Sequence, residues 1–219
     1  MRKIQMVVFD MDGTTICDEW AHMQAKASII KSMGDNCTIN LEDDIGRSNR
    51  KFWAKVLKNM GLEGDVEALV VRQFTEVLRL VRSTGQRESP GLKDLLKFCH
   101  DTGRKTALCT GSDEWFVTDV LEYLGIRDCY DVLITSEDAK NLKPAPDVYI
   151  AALKKAGISP EFAIGIEDST SGCIAVHGSG MPCIGYLAGG ENRQDLSAAE
   201  YRVNHMSEVI DLLRQIDPS

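Results

Sequence analysis

Asp10 and Asp12 stand two residues apart where the apolar run Met6–Val7–Val8–Phe9 ends, and Gly13, Thr14 and Thr15 follow them. Side chains two apart on a strand point the same way, so both carboxylates can face one pocket at the strand's carboxyl end. Like charges that close repel unless a cation lies between them. The chemistry such a pair supports is metal-assisted, with one carboxylate attacking and the other moving a proton.

Three further polar clusters lie downstream. Thr110–Gly111–Ser112 comes after Thr106–Ala107–Leu108–Cys109 and offers hydroxyls and backbone amides, with Ser112 read as the cap of the next helix; a helix start of this kind suits an anion. Lys143 lies in Lys143–Pro144–Ala145–Pro146–Asp147, where two prolines stiffen the loop that presents it. Ile164–Gly165–Ile166 runs into Glu167–Asp168–Ser169. A second acidic strand end points to a divalent cation with oxygen ligands.

The elements that must position these groups alternate from residue 91 onward. Short apolar strands near 106–109, 132–134, 162–166, 183–186 and 201–203 are separated by helical stripes such as Leu92/Leu95/Leu96/Cys99 and Trp115/Phe116/Val120/Leu121/Leu124. Continuous apolar strands between helices imply an α/β fold, a doubly wound parallel sheet covered on both faces, with ligands at the strands' carboxyl ends. Residues 16–88 break the alternation. Three stripes there read as a helical insertion: Trp20/Met23/Ala27/Ile30/Met33, Phe52/Trp53/Val56/Leu57/Met60, and a third from Val66 to Val81. The expected division is a core of 1–15 and 89–219 with a helical cap of 16–88, placed to act as a lid.

Asp10–Met11–Asp12–Gly13–Thr14, Thr110–Gly111–Ser112, Lys143–Pro144 and Glu167–Asp168–Ser169, in that order, resemble the four motifs of the haloacid dehalogenase superfamily, and more closely its phosphatase and phosphoglucomutase-like branch with a helical cap. The resemblance implies Asp10 as nucleophile and Asp12 as acid/base, with Thr110 and Lys143 binding the transferring phosphoryl group. It implies Mg²⁺ held by Asp10, the Asp12 carbonyl and Asp168, with Glu167 helping directly or through water. The expected activity is hydrolysis of a small phosphorylated metabolite through an aspartyl phosphate. The rival is a sugar phosphomutase of the β-phosphoglucomutase type. In those enzymes the cap segment is similar to Ile45–Gly46–Arg47–Ser48–Asn49–Arg50, with an arginine where Asn49 stands here, and a histidine falls at His22. His22, Arg47, Asn49 and Arg50 are therefore the candidate cap contacts. A receiver-type phosphoacceptor domain is disfavoured by Asp12 and by the insertion, because a receiver has no leaving group to protonate.

Composition sets outer bounds. The chain has 219 residues, 43% hydrophobic and 26% charged, with a formal net charge of −8 that disfavours nucleic acid and anionic membrane. An anionic small-molecule substrate then needs local cations. Seven scattered cysteines without a CxxC argue against a disulfide framework or a zinc site, and Cys109, Cys173 and Cys183 in apolar runs read as core residues. MRKIQMVVFD has no signal-peptide layout, which reads as a cytoplasmic chain.

Overall fold

The computed structural model describes residues 3–34, 36–41, 48–190 and 194–217. The chain divides into two compact units, Met1–Cys17 with Arg87–Ser219, and Asp18–Gln86.

The first unit is built on a six-stranded parallel sheet in the order β3-β2-β1-β4-β5-β6. The strands are β1 (Met6–Phe9), β2 (Lys105–Cys109), β3 (Val132–Ile134), β4 (Ala163–Glu167), β5 (Cys183–Tyr186) and β6 (Tyr201–Val203). β1 lies at the centre, where all four of its side chains are buried, as a strand covered on both faces requires. Met6, Val8, Cys109 and Ile134 meet Val148, Tyr149, Ala152 and Leu153 from a helix at Asp147–Ala156, and Cys173 and Val176 from one at Thr170–Gly178. Gly165 allows that second helix to approach, since a Cβ there would collide with Val176. Helices at Leu92–Asp101 and Met206–Ile216 pack on each other, the former also on β2 and the latter on β6; another, Glu114–Leu124, buries Phe116, Val117, Val120, Leu121 and Leu124.

The second unit consists of helices α1 (Glu19–Met33), α2 (Asn49–Met60) and α3 (Val66–Thr84), with α3 packed on both others. Numbering continues in the sheet unit: α4 (Leu92–Asp101), α5 (Glu114–Leu124), α6 (Asp147–Ala156), α7 (Thr170–Gly178) and α8 (Met206–Ile216).

Several expectations are corrected. The units divide after Cys17 and Gln86, so 16–17 and 87–88 belong with the sheet: Ile16 bridges to both Asp12 and Glu88, and the Ser89 N–H donates to the Thr15 carbonyl. α1 buries Ala21, Ala25, Lys26 and Ile29 and leaves Trp20 and Ala27 exposed. Its apolar residues lie all around the helix, and the face of small residues is the one that packs. Trp115 is likewise exposed, with Val117 in its place on the buried face of α5. Ser112 does not cap α5; Asp113 is the N-cap, and the Ser112 hydroxyl turns to Asp12. Among the described residues no helix is long and apolar enough to cross a membrane.

Candidate active site

Asp10 and Asp12 follow β1, and the turn that carries them is shaped by its neighbours. Gly13 sits at φ +86, and a Cβ there would fall on the Asp168 carboxylate, so only glycine admits that approach. The Thr14 hydroxyl donates to Asp168 Oδ1 (3.2 Å), and the Thr15 hydroxyl donates to the Asp10 carbonyl (2.7 Å). Thr15 also meets the Tyr130 hydroxyl at 3.2 Å.

Lys143, in the loop between β3 and α6, brings three strand ends together. Its ammonium donates to Asp10 Oδ1, to Glu167 Oε1 (2.6 Å) and to the Cys109 carbonyl (3.2 Å), and it lies 5.1 Å from the centre of the Tyr149 ring. Glu167, fully buried at the end of β4, is held on both oxygens. Oε1 also accepts from the Tyr149 hydroxyl (2.5 Å), and Oε2 accepts from the Ser169 hydroxyl (3.1 Å) and the Ser169 N–H (3.3 Å). Ser169 caps α7 by accepting from the Gly172 N–H at 3.0 Å. A Cβ on Gly172 would overlap the Glu167 carboxyl group, so the first turn of α7 contains a glycine because the carboxylate occupies that space.

On the other side of the turn, Asp12 Oδ2 accepts from the Ser112 hydroxyl (2.9 Å) and the Thr110 hydroxyl (3.3 Å). The expected backbone anion nest is only partly available. The Thr110 N–H donates to the Ile134 carbonyl and the Ser112 N–H to Thr110 Oγ1, whereas the Gly111 N–H has no partner among the described residues.

Burial shapes the electrostatics. Asp10 is pushed well above the ordinary carboxylate range by desolvation and by the Glu167 charge, with Lys143 opposing the rise and Asp12 adding to it. Burial works against the charge on Lys143, yet the carboxylates of Asp10 and Glu167 outweigh it and hold the ammonium protonated far into the alkaline range. The Tyr149 hydroxyl is raised by burial and by Glu167, so it remains a donor.

Carboxylate oxygens of Asp10, Glu167 and Asp168 lie within 4.8 Å of one another. Of these, Glu167 is already held on both oxygens, while the buried carboxylates of Asp10 and Asp168 are hard-oxygen donors of the kind a small divalent cation takes. Asp10, Asp12, Thr110, Gly111, Ser112, Lys143, Glu167 and Asp168 thus all lie at the carboxyl ends of β1, β2 and β4 and in the loop after β3. Sequence reasoning missed Tyr149 and Gly172, and it named Thr14 and Thr15 without giving them a role. Gly172 left a signal, because glycine in a helix's first turn weakens the helix unless something needs the room.

The candidate cap residues lie in the helical unit. His22 Nδ1 is 2.9 Å from Gln73 Nε2, which also donates to Asn49 Oδ1 (3.0 Å). Arg50 makes a two-pronged ion pair with Glu67, Nε to Oε1 at 2.8 Å and Nη2 to Oε2 at 2.8 Å. Arg47 lies outside the described residues. Gln73, fully buried among apolar neighbours, was not anticipated.

A family model described as haloacid dehalogenase-like hydrolase matches residues 4–180. The phosphorylated carbohydrates phosphatase of Thermotoga maritima is 26% identical over 216 residues, covering 97% of this chain and 100% of that protein. The fructose-1-phosphate phosphatase of Escherichia coli is 26% identical over 181 residues, covering 81% and 94%. The crystal structure of a β-phosphoglucomutase from Clostridium difficile is similar with a TM-score of 0.81 at 22% identity, over 97% of this chain and 98% of that one; at that identity the likeness speaks for the fold alone.

Proposed function

The chain belongs to the haloacid dehalogenase-like hydrolase family, and on that premise we propose that it is a Mg²⁺-dependent phosphatase of small phosphorylated sugars or sugar alcohols. The observation that carries this reading is the Lys143 ammonium shared between Asp10 and Glu167 beside Asp168, with Asp12 held separately by Thr110 and Ser112. The two carboxylates after β1 therefore stand in different surroundings, one among charges and one among hydroxyls, which suits them to different tasks.

Asp10 attacks phosphorus, and the bond to the leaving oxygen breaks as Asp12 gives that oxygen a proton. Asp12 then takes a proton from water, whose oxygen attacks the aspartyl phosphate, releasing phosphate and restoring the Asp10 carboxylate. Lys143 and the Gly111 N–H offset charge on the phosphoryl oxygens. Asp10, Asp168 and the Asp12 carbonyl would hold Mg²⁺, which supplies further charge neutralisation when bound. Glu167 already accepts four hydrogen bonds, which supports a role in orienting Lys143. The helical unit is assigned the selection of substrate.

Hydrolysis is favoured over the mutase reaction by two observations. A mutase must grip the second phosphate of its bisphosphate intermediate, a task suited to a free arginine fork. Asn49 stands at the matching position, and the Arg50 fork is engaged by Glu67. The test measures phosphate release and isomerisation side by side over a panel of sugar and sugar-alcohol phosphates, with and without an added sugar bisphosphate. Phosphate release that needs Mg²⁺ and is abolished in Asp10→Asn is the expected result. Bisphosphate-dependent isomerisation outpacing release would overturn it.

A further inference from the structure

Glu167 has its acceptor sites filled. A carboxylate offers about four lone-pair sites, two on each oxygen. Oε1 accepts from the Lys143 ammonium (2.6 Å) and the Tyr149 hydroxyl (2.5 Å), and Oε2 from the Ser169 hydroxyl (3.1 Å) and N–H (3.3 Å). The side chain is fully buried, and a Cβ on Gly172 would overlap it, so it has little room to turn. A cation, or a water bound to that cation, could reach Glu167 only by displacing one of these donors. Three of the four have other duties. Ser169 supplies two of them and also caps α7, while Lys143 is the ammonium that Asp10 shares. Tyr149 is different. It lies in the first turn of α6, with its ring in the apolar core that also contains Cys109 and Cys173. Phenylalanine would fill the same space, so the hydroxyl is not there for packing. A buried phenol needs a hydrogen-bond partner, and the partner of this one is Glu167.

We propose that Tyr149 is a positioning residue that keeps Glu167 turned to Lys143 and withholds it from the divalent cation, leaving Asp10 and Asp168 as the cation's carboxylate ligands. The proposal rests on the Mg²⁺ part of the phosphatase reading. It departs from the ligand set expected from the sequence, in which Glu167 helps to hold the metal. Two adjacent carboxylates then have separate partners: Asp168 serves the cation, and Glu167 serves the ammonium. The Tyr149 hydroxyl is what keeps those partners from being exchanged.

Mg²⁺ affinity is to be measured by titration calorimetry on the wild type, Tyr149→Phe, Glu167→Gln and the double variant, with phosphate release assayed alongside. Tyr149→Phe keeps the ring and frees one acceptor site on Oε1. Mg²⁺ should then bind about ten-fold tighter, while kcat falls as Lys143 loses its fixed partner. In the Glu167→Gln background the same change should move the affinity by less than about two-fold. A merely structural role would not give that coupling, since damage to packing would weaken binding in both backgrounds. Unchanged or weaker binding in Tyr149→Phe, or equal tightening in both backgrounds, would overturn the proposal. A crystal structure of the Mn²⁺-loaded wild type decides the point even if no variant folds. Glu167 should still accept from Tyr149 there, and a Glu167 oxygen on the metal would overturn the proposal. Wild-type protein that released phosphate without binding Mg²⁺ would overturn the metal part of the phosphatase reading and this proposal with it. Normal Mg²⁺ binding without the Tyr149–Glu167 coupling would overturn this proposal alone.

Discussion

The sheet unit and the helical unit bury polar groups to different ends. At the strand ends, Asp10, Glu167 and Asp168 are buried around one ammonium, so carboxylates outnumber cations and the arrangement favours an added positive charge. In the helical unit the buried polar residues described are Asp18, Lys26 and Gln73, and the linked set around Gln73 runs on neutral donors and acceptors. Charge that converges with burial makes reactivity, because each group alters its neighbour's protonation. A neutral network fixes orientation instead, and here it ties the three helices together.

The largest expected effect falls on the first half of this contrast. Asp10→Asn keeps the shape and removes the attacking charge, so phosphate release should drop at least about a thousand-fold. Retained turnover would overturn the reading of the strand-end carboxylates as the reactive groups. For the helical unit the comparable change is to stability. Phe74 is fully buried and packs edge-on against His22, with ring centres 6.0 Å apart. Phe74→Ala should cost about 3–5 kcal/mol in urea unfolding.

Smaller changes sharpen the comparison. Tyr149→Phe removes a hydrogen bond to a charged group, worth about 1.5–3 kcal/mol, and should lower turnover by loosening Glu167 and with it Lys143. Burial and Glu167 raise Asp10 above its unfolded value, so the folded protein holds that proton longer than the unfolded chain does. The contribution of Asp10 to stability in excess chelator should therefore be complete below the ordinary carboxylate range and be lost as pH rises toward the raised value, by at most about 1.4 kcal/mol per pH unit, while carboxylates shifted the other way, such as Glu88 and Glu137, contribute in the opposite sense. The difference in urea midpoint between the wild type and Asp10→Asn, measured across that range, should follow this slope. The smallest effect belongs to Arg50→Ala. Its partner Glu67 is mostly exposed, so the loss should stay under about 1 kcal/mol, with kcat/KM changed less than about two-fold. A large loss of activity there would return Arg50 to substrate binding and reopen the mutase reading.

The contrast also explains what the sequence made legible. Parallel strands buried on both faces leave short apolar runs, and the polar residue that ends each run lies at the ligand edge, so Asp10, Thr110 and Glu167 could be placed from local pattern alone. Tyr149 could not, because it continues an apolar helical stripe and its partner lies 18 residues away. Gln73 was hidden because its partners Trp53 and His22 lie 20 and 51 residues away in sequence. The packing face of α1 differs from the expected one because size was taken as the guide, whereas the buried residues include the small Ala21 and Ala25. Ser112 looked like a helix cap because a hydroxyl before a helix usually is one; here the Asp12 carboxylate competes for it.

Ile16 pairs with Asp12 on one side and Glu88 on the other, so the points where the chain leaves the sheet unit and returns are clamped side by side. Whatever lies between them is a loop whose ends are already closed. The entropy of closing such a loop grows only logarithmically with its length. The intervening segment can therefore lengthen, shorten or be exchanged for another folded piece without disturbing the register of β1. Residues 17 and 87 are the points at which such an exchange would be made.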